Sequence, residues 1–243
     1  MSIIQRLLER TADKSHARGI CLAFLGDSVT QGCFEIYPSS EGGILTVTEA
    51  HHAYAHHVLR QLCMRFPDTP FHLIHAGRSG DRAPGGLRRL QRDVLSFHPD
   101  LTVVCYGLND CSDAADSIET YVGALRDIFT QLQKADSEVV FMTPNTMSFY
   151  VCPTLTEPAI LSIAKCKTAY QTSGLFDRHI EAARSLCHDM GIPVCDCYAC
   201  WQALRESGVD VTKRLSNRIN HPTRDMHTLF ADELVKTMLE GGG

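Results

Sequence analysis

Several features are missing from the sequence, and each absence removes a class of function. No stretch approaches the roughly 18 consecutive apolar residues of a membrane span, so no membrane partner is expected. There is no long run of Lys or Arg and the formal net charge is -5, which argues against nucleic acid as a partner. No Pro/Gly/Ser-rich linker divides the chain and no internal repeat appears. A secretory signal is also missing: Met1 to Arg18 is polar and charged, with Ile3, Ile4, Leu7 and Leu8 at helical spacing, and reads as an amphipathic helix. Eleven cysteines without such a signal point to a reducing cytosol and a cytoplasmic location.

Metal-ligand patterns are thin. Cys21, Cys63, Cys105 and Cys187 lie in apolar runs, where thiols act as small core groups. Cys195, Cys197 and Cys200 stand close together but lack the second pair that a structural zinc site uses. His51, His52, His56 and His57 have neither an adjacent Glu nor an evident third ligand, and read as an exposed or partner-facing polar face. No metal and no cofactor is expected.

The composition is that of an ordinary globular protein, 44% hydrophobic and 21% charged. With 243 residues the chain suits one sizeable domain. Its expected parts are an N-terminal helix over 1–18, a core over 19–240 and a disordered tail over 241–243. Short apolar runs at Ile20–Leu25, Phe71–Ala76, Leu101–Tyr106, Glu138–Thr143 and Ile192–Asp196 read as five strands. Helical periodicity separates them at Ala50–Phe66, Pro84–Phe97, Ile118–Ala135 and Gly174–Met190, with further helices at Tyr198–Ser207 and Met226–Leu239. The stretches Gln31–Thr48 and Asn145–Ser173 read as loops. Strands alternating with helices imply an α/β fold, a three-layer αβα sandwich on a parallel sheet in the flavodoxin-like order 2-1-3-4-5.

That order makes the ends of the first three strands neighbours. The first ends in Gly26-Asp27-Ser28, the second in Gly77 and the third in Gly107-Leu108-Asn109-Asp110. Asn220-His221-Pro222-Thr223 precedes the last helix, which returns to the same edge. Together these segments offer a hydroxyl, backbone N–H groups, a side-chain amide and an imidazole. Those are the parts of an acyl-transfer site: a serine needs a base to take its proton, and the developing oxyanion needs preorganised donors. Asp27 and Asp110 also suit plain turn-fixing or helix-capping roles.

In order and spacing the four blocks resemble those of the SGNH (GDSL-type) hydrolases, over nearly the whole chain. The resemblance implies hydrolysis of carboxyl esters and some thioesters, with Ser28 as nucleophile, His221 as base and Ser28, Gly77 and Asn109 as the oxyanion hole. It implies a small-molecule or glycan ester as substrate, acetyl esters among them; a homo-oligomer is left open. One position departs from the pattern: members usually carry Asp three residues before the histidine, where this chain has Arg218. Three groups could orient His221 instead: the side-chain carbonyl of Asn217, a backbone carbonyl forming a Ser–His dyad, or a carboxylate such as Asp196 or Asp225. The dyad with a carbonyl is favoured, which implies a modest rate. His227 is the rival base, disfavoured by its place within the closing helix. Arg78, Asp81 and Arg82 are surface charge or a substrate-facing rim. Met147, Phe149 and Tyr150 are core or an apolar wall. Three other readings stand beside the esterase: a flavodoxin-like phosphate or flavin binder, a metal-dependent phosphoesterase built on Asp27, Asn109, Asp110 and histidines, and a catalytically weak relative.

Overall fold

The computed structural model describes residues 2–41 and 43–240. The tail at 241–243 lies outside the described residues. β1 (Ile20–Gly26), β4 (Phe71–Gly77), β5 (Leu101–Cys105), β6 (Glu138–Met142) and β7 (Val194–Cys195) form a parallel sheet in the order β4-β1-β5-β6-β7. Numbered among themselves, these strands run 2-1-3-4-5, the flavodoxin-like order.

Alternation along β1 sends its side chains into two cores. Leu22 and Phe24 pack toward α1 (Ile3–Ala12), α3 (Tyr54–Arg65) and α9 (Met226–Glu240). Ala23 and Leu25 pack toward α4 (Ala83–Asp93), α5 (Ser117–Lys134) and the Ala183–Cys187 stretch of α7 (Leu175–Met190). α8 (Cys197–Glu206) adds Trp201 to the first core. The register matches Gly26 with Gly77 on one side and with Cys105 on the other. The three strand ends therefore finish level with one another.

Two segments read as loops are ordered. Within Gln31–Thr48, β2 (Cys33–Pro38) and β3 (Ile44–Thr48) form an antiparallel hairpin outside the main sheet. Its pairing slips between Cys33 and Ile36, leaving Phe34 and Glu35 opposite a single residue as a bulge. The bulge breaks the strand alternation, which is why no period shows in the sequence. Within Asn145–Ser173, α6 (Pro158–Thr172) begins with its proline in the first turn, where the missing N–H has no partner to lose. The other elements differ at their ends. α1 is shorter than the amphipathic stretch, the helix expected over Pro84–Phe97 becomes α4 plus a separate 3-10 turn, and β7 keeps only two residues.

Candidate active site

β1 stops at Gly26, and the chain turns directly into α2 (Ser28–Gln31), a single helical turn. Asp27 caps it: its Oδ1 accepts the Val29 N–H at 2.9 Å. Asp27 is buried, and burial pushes its carboxyl up to about 7. Ser28 thus stands at the first position of the turn, over the end of the sheet, with 3% of its surface exposed.

His221 meets it. The His221 Nε2 lies 3.0 Å from Ser28 Oγ, and its Nδ1 lies 2.8 Å from the backbone oxygen of Phe34 in the hairpin. A carbonyl can only accept, so Nδ1 carries the proton and the Nε2 lone pair faces the hydroxyl. The hydrogen bonds thus select the tautomer that a general base requires. Burial holds His221 neutral, lowering its pKa from 6.5 to about 4.

The other groups considered for orienting this ring have different partners. Asn217 Oδ1 accepts the backbone N–H groups of Ile219, Asn220 and His221 at 2.9–3.0 Å, so it shapes the loop from within rather than touching the imidazole. Asp196 caps α8 and pairs with Arg184. Asp225 pairs with Arg214. Arg218, at the family's usual Asp position, donates to the carbonyl oxygens of Lys213 and Leu215. His227 is fully buried, and its Nδ1 accepts the Tyr54 N–H at 3.1 Å. It packs edge-on against Phe34, under the hairpin rather than beside Ser28.

Strand ends β4 and β5 complete the surroundings. Asn109 donates its amide to Asp81 O at 3.1 Å, and Asp110 Oδ1 accepts the Ala83 N–H at 2.8 Å. The third block is thereby tied to the turn after β4. At the end of β4 Gly77 lies flat against α2: a Cβ there would sit 2.3 Å from the Gln31 nitrogen. Gly80 is the opposite case, with φ +73 and nothing within 4 Å of an added Cβ. Beyond it a cleft of about 480 Å³ is lined by Gly80, Arg82, Arg88, Asp110, Ser117 and Thr120.

Beneath the turn, Arg89 joins all three strand ends. It is 6% exposed and donates to Gly26 O at 3.0 Å, the Tyr106 hydroxyl at 2.9 Å and Asp81 Oδ2 at 2.7 Å. Asp81 is therefore a half-buried structural partner and not a free rim charge, whereas Arg78 and Arg82 are exposed. Lys167 of α6 donates to Leu108 O at 2.5 Å, a contact that no motif announced. Met147 joins the core, while Tyr150 is exposed and hydrogen-bonds Asp210. Of the four-histidine stretch His51 is exposed and His52, His56 and His57 are half-buried; His56 lies on His75 with ring centroids 5.7 Å apart. Among the described residues no three His, Cys, Asp or Glu side chains converge as metal ligands would. No helix among them is long and apolar enough to cross a membrane.

A seryl hydroxyl facing a correctly tautomerised imidazole, at the end of a flavodoxin-like sheet, is the constellation against which known proteins can be compared. The family model of the GDSL-like Lipase/Acylhydrolase family matches residues 24–229. The chain belongs to this family. As a GDSL-type protein it is a carboxylic ester hydrolase. Among solved structures it is similar to a lipase/acylhydrolase from Enterococcus faecalis, at 18% identity, TM-score 0.67 and coverage of 91% of this chain and 96% of that one. It is also similar to an acetyl xylan esterase, AlAXEase, at 19% identity, TM-score 0.64 and coverage of 88% and 98%. A catalytic mutant of an acetylxylan esterase from Geobacillus stearothermophilus aligns at 18% identity, TM-score 0.65 and coverage of 91% and 94%. At these identities the likeness concerns the fold. No curated protein sequence matches the chain.

Phe34 carries no signal in the sequence, because its contribution is a backbone oxygen and any residue has one. The bulge that frees it leaves no residue-type signature. Gly80 stands in Ser79-Gly80-Asp81, three residues past the glycine that ends the strand, and its positive φ leaves no mark in the sequence.

Proposed function

We propose that this GDSL-type hydrolase is a serine esterase acting through an acyl-Ser28 intermediate on short-chain acyl esters, acetyl esters of a carbohydrate among them. His221 takes the Ser28 proton on Nε2 as Oγ attacks the ester carbonyl carbon. The carbonyl oxygen becomes an oxyanion, facing the Ser28 N–H, the Asn109 amide and a backbone N–H from the turn after β4. Gly77 is the donor that the sequence resemblance implies; Gly80, adjoining Asp81 whose oxygen Asn109 touches, is the one with open surroundings. As the tetrahedral species collapses, His221 returns the proton to the departing alcohol oxygen. Water then attacks the acyl-serine by the same route and releases the acid.

The observation that carries this reading is the Ser28 Oγ to His221 Nε2 contact at 3.0 Å with Nδ1 already fixed. The close cover over Ser28 favours a small acyl group, and the hydroxyl- and charge-lined cleft beyond Gly80 suits a polar alcohol such as a sugar. Two of the similar structures are of acetyl xylan esterases, which agrees with that choice. Eleven cysteines free of disulfides fit a reducing, cytoplasmic compartment.

The test is a panel of p-nitrophenyl esters of increasing chain length, alongside acetylated xylo-oligosaccharides, with wild type and Ser28→Ala. Acetate esters should turn over fastest, and the variant should be inactive while folded. Turnover retained in Ser28→Ala, or a preference for long acyl chains, would overturn the assignment.

A further inference from the structure

The loop bearing His221 lacks the acid that its family relatives place three residues earlier, yet a compact charge cluster lies one turn of chain further on. Arg224 forms a bidentate pair with Glu35, at 2.7 and 3.0 Å, and its Nε reaches Glu49 at 2.6 Å. Its guanidinium also lies 4.3 Å from the centroid of the Phe34 ring. One side chain from the His221 loop therefore holds both residues of the bulge: the ring of Phe34 and the carboxylate of Glu35.

We propose that Arg224, Glu35 and Glu49 act as a clamp that keeps the Phe34 carbonyl on His221 and supplies, through its excess carboxylate, the negative charge that the histidine loop lacks. The proposal rests on the Ser28–His221 reading above and names positioning residues, not groups that touch substrate. A bulge re-aims a backbone group but does not fix it, and a two-stranded hairpin is marginal alone. Among the described residues, the hairpin's Ile36 and Ile44 pack in a small apolar cluster with Val151, Leu155, Ile160, Ala164 and Ile219. The planar fork of arginine meets a carboxylate in one geometry, which lysine cannot reproduce. Two carboxylates and one guanidinium leave one net negative charge, and Glu35 favours the protonated form of His221. A backbone carbonyl alone offers only a dipole to the imidazolium formed in the transition state.

Steady-state hydrolysis of p-nitrophenyl acetate by wild type, Ser28→Ala, Arg224→Met, Arg224→Lys and Glu35→Gln, across pH, tests the clamp. Arg224→Met should lower kcat roughly 10- to 100-fold with KM within about twofold, and Arg224→Lys should fall between it and wild type. The charged and titratable groups around the His221 ring are Glu35 of the hairpin with its partner Arg224, and His227 of the last helix, held neutral by burial; Glu49, further out, has the His52 ring at 3.9 Å. Removing the Glu35 charge should therefore move the acid limb of kcat/KM to lower pH, and removing the Arg224 charge should move it to higher pH. A purely structural role would not give opposite shifts. Unchanged kcat in both Arg224→Met and Glu35→Gln, or shifts in the same direction, would overturn the clamp. If Arg224→Met does not fold, the nearly isosteric Glu35→Gln and Glu49→Gln carry the test. An active Ser28→Ala would sink the site reading itself; an inactive Ser28→Ala beside unperturbed Arg224→Met and Glu35→Gln would sink only the clamp.

Discussion

Ser28 and Asn109 follow strands at the centre of the sheet, whereas His221 and the carbonyl that turns it belong to a loop and a hairpin that lie outside it. The first group is locked by backbone ladders and by Arg89, which reaches all three strand ends from below. The second is held by side chains: Asn217 inside the loop, Asn145 Nδ2 donating to Asn220 O at 2.9 Å, and the Arg224 cluster across to the hairpin. One half of the site is thus rigid by virtue of the fold, and the other by a few polar contacts that a single substitution can release. Ser28 belongs to the rigid half and His221 to the adjustable half.

Ser28→Ala is expected to have the largest effect, a loss of at least roughly 10⁴-fold in kcat, with an unfolding curve close to that of wild type. His221→Ala should fall as far, and the double variant little further, because the pair acts as a unit. A double variant much worse than either single one would show that the two halves work independently.

Arg89→Leu probes the rigid half through stability. It takes from Asp81 its charged partner, leaving the Tyr106 hydroxyl, and takes from Gly26 O one donor beside the Arg78 N–H, so urea unfolding should show a loss of about 3–5 kcal/mol. A loss below 1 kcal/mol would mean that the strand ladders alone hold the three ends together. Asn109→Ala comes next, with an expected drop in kcat of roughly 10²–10³-fold if its amide faces the oxyanion. A change confined to KM would assign it to substrate binding instead.

The smallest effects are in pH. Burial holds His221 at about 4, so the acid limb of kcat/KM should lie near that value, well below the ordinary 6.5 of histidine. A limb at 6–7 would show an imidazole open to water. Stability follows the same signs. The folded values of His221 and His227, about 4 and about 3, lie below 6.5, so the stability they confer is present above 6.5 and lost as the pH falls through that window. Asp27 opposes them: its folded value of about 7 lies above 3.8, so its contribution is present below 3.8 and lost as the pH rises toward 7. Asp27→Asn should therefore make the melting temperature climb more steeply from pH 4 to 7 than it does in wild type.

The same division explains what could be read from the sequence. Short, mainly apolar runs followed by glycine mark the first three parallel strands, and their order puts Ser28, Gly77 and Asn109 at one edge. The imidazole could be placed there because His221 lies in the loop before the last helix. The hairpin could not: its bulge destroys the period-2 signal, and the group it contributes, Phe34 O, has no side-chain identity. α6 was hidden by Pro158, which signals a loop unless it is recognised as the first residue of a helix. Which glycine of the turn after β4 lies open depends on φ at Gly80 and on how closely α2 presses on Gly77, and neither is written in composition.

The central claim is that His221, turned by Phe34, activates Ser28. A fluorophosphonate ester, which phosphonylates an activated serine with loss of fluoride, followed by peptide mapping by mass spectrometry, tests it most directly. The account predicts one label per chain, on Ser28, formed far more slowly in His221→Ala. A label on another residue, no label at all, or an undiminished rate in His221→Ala would contradict it.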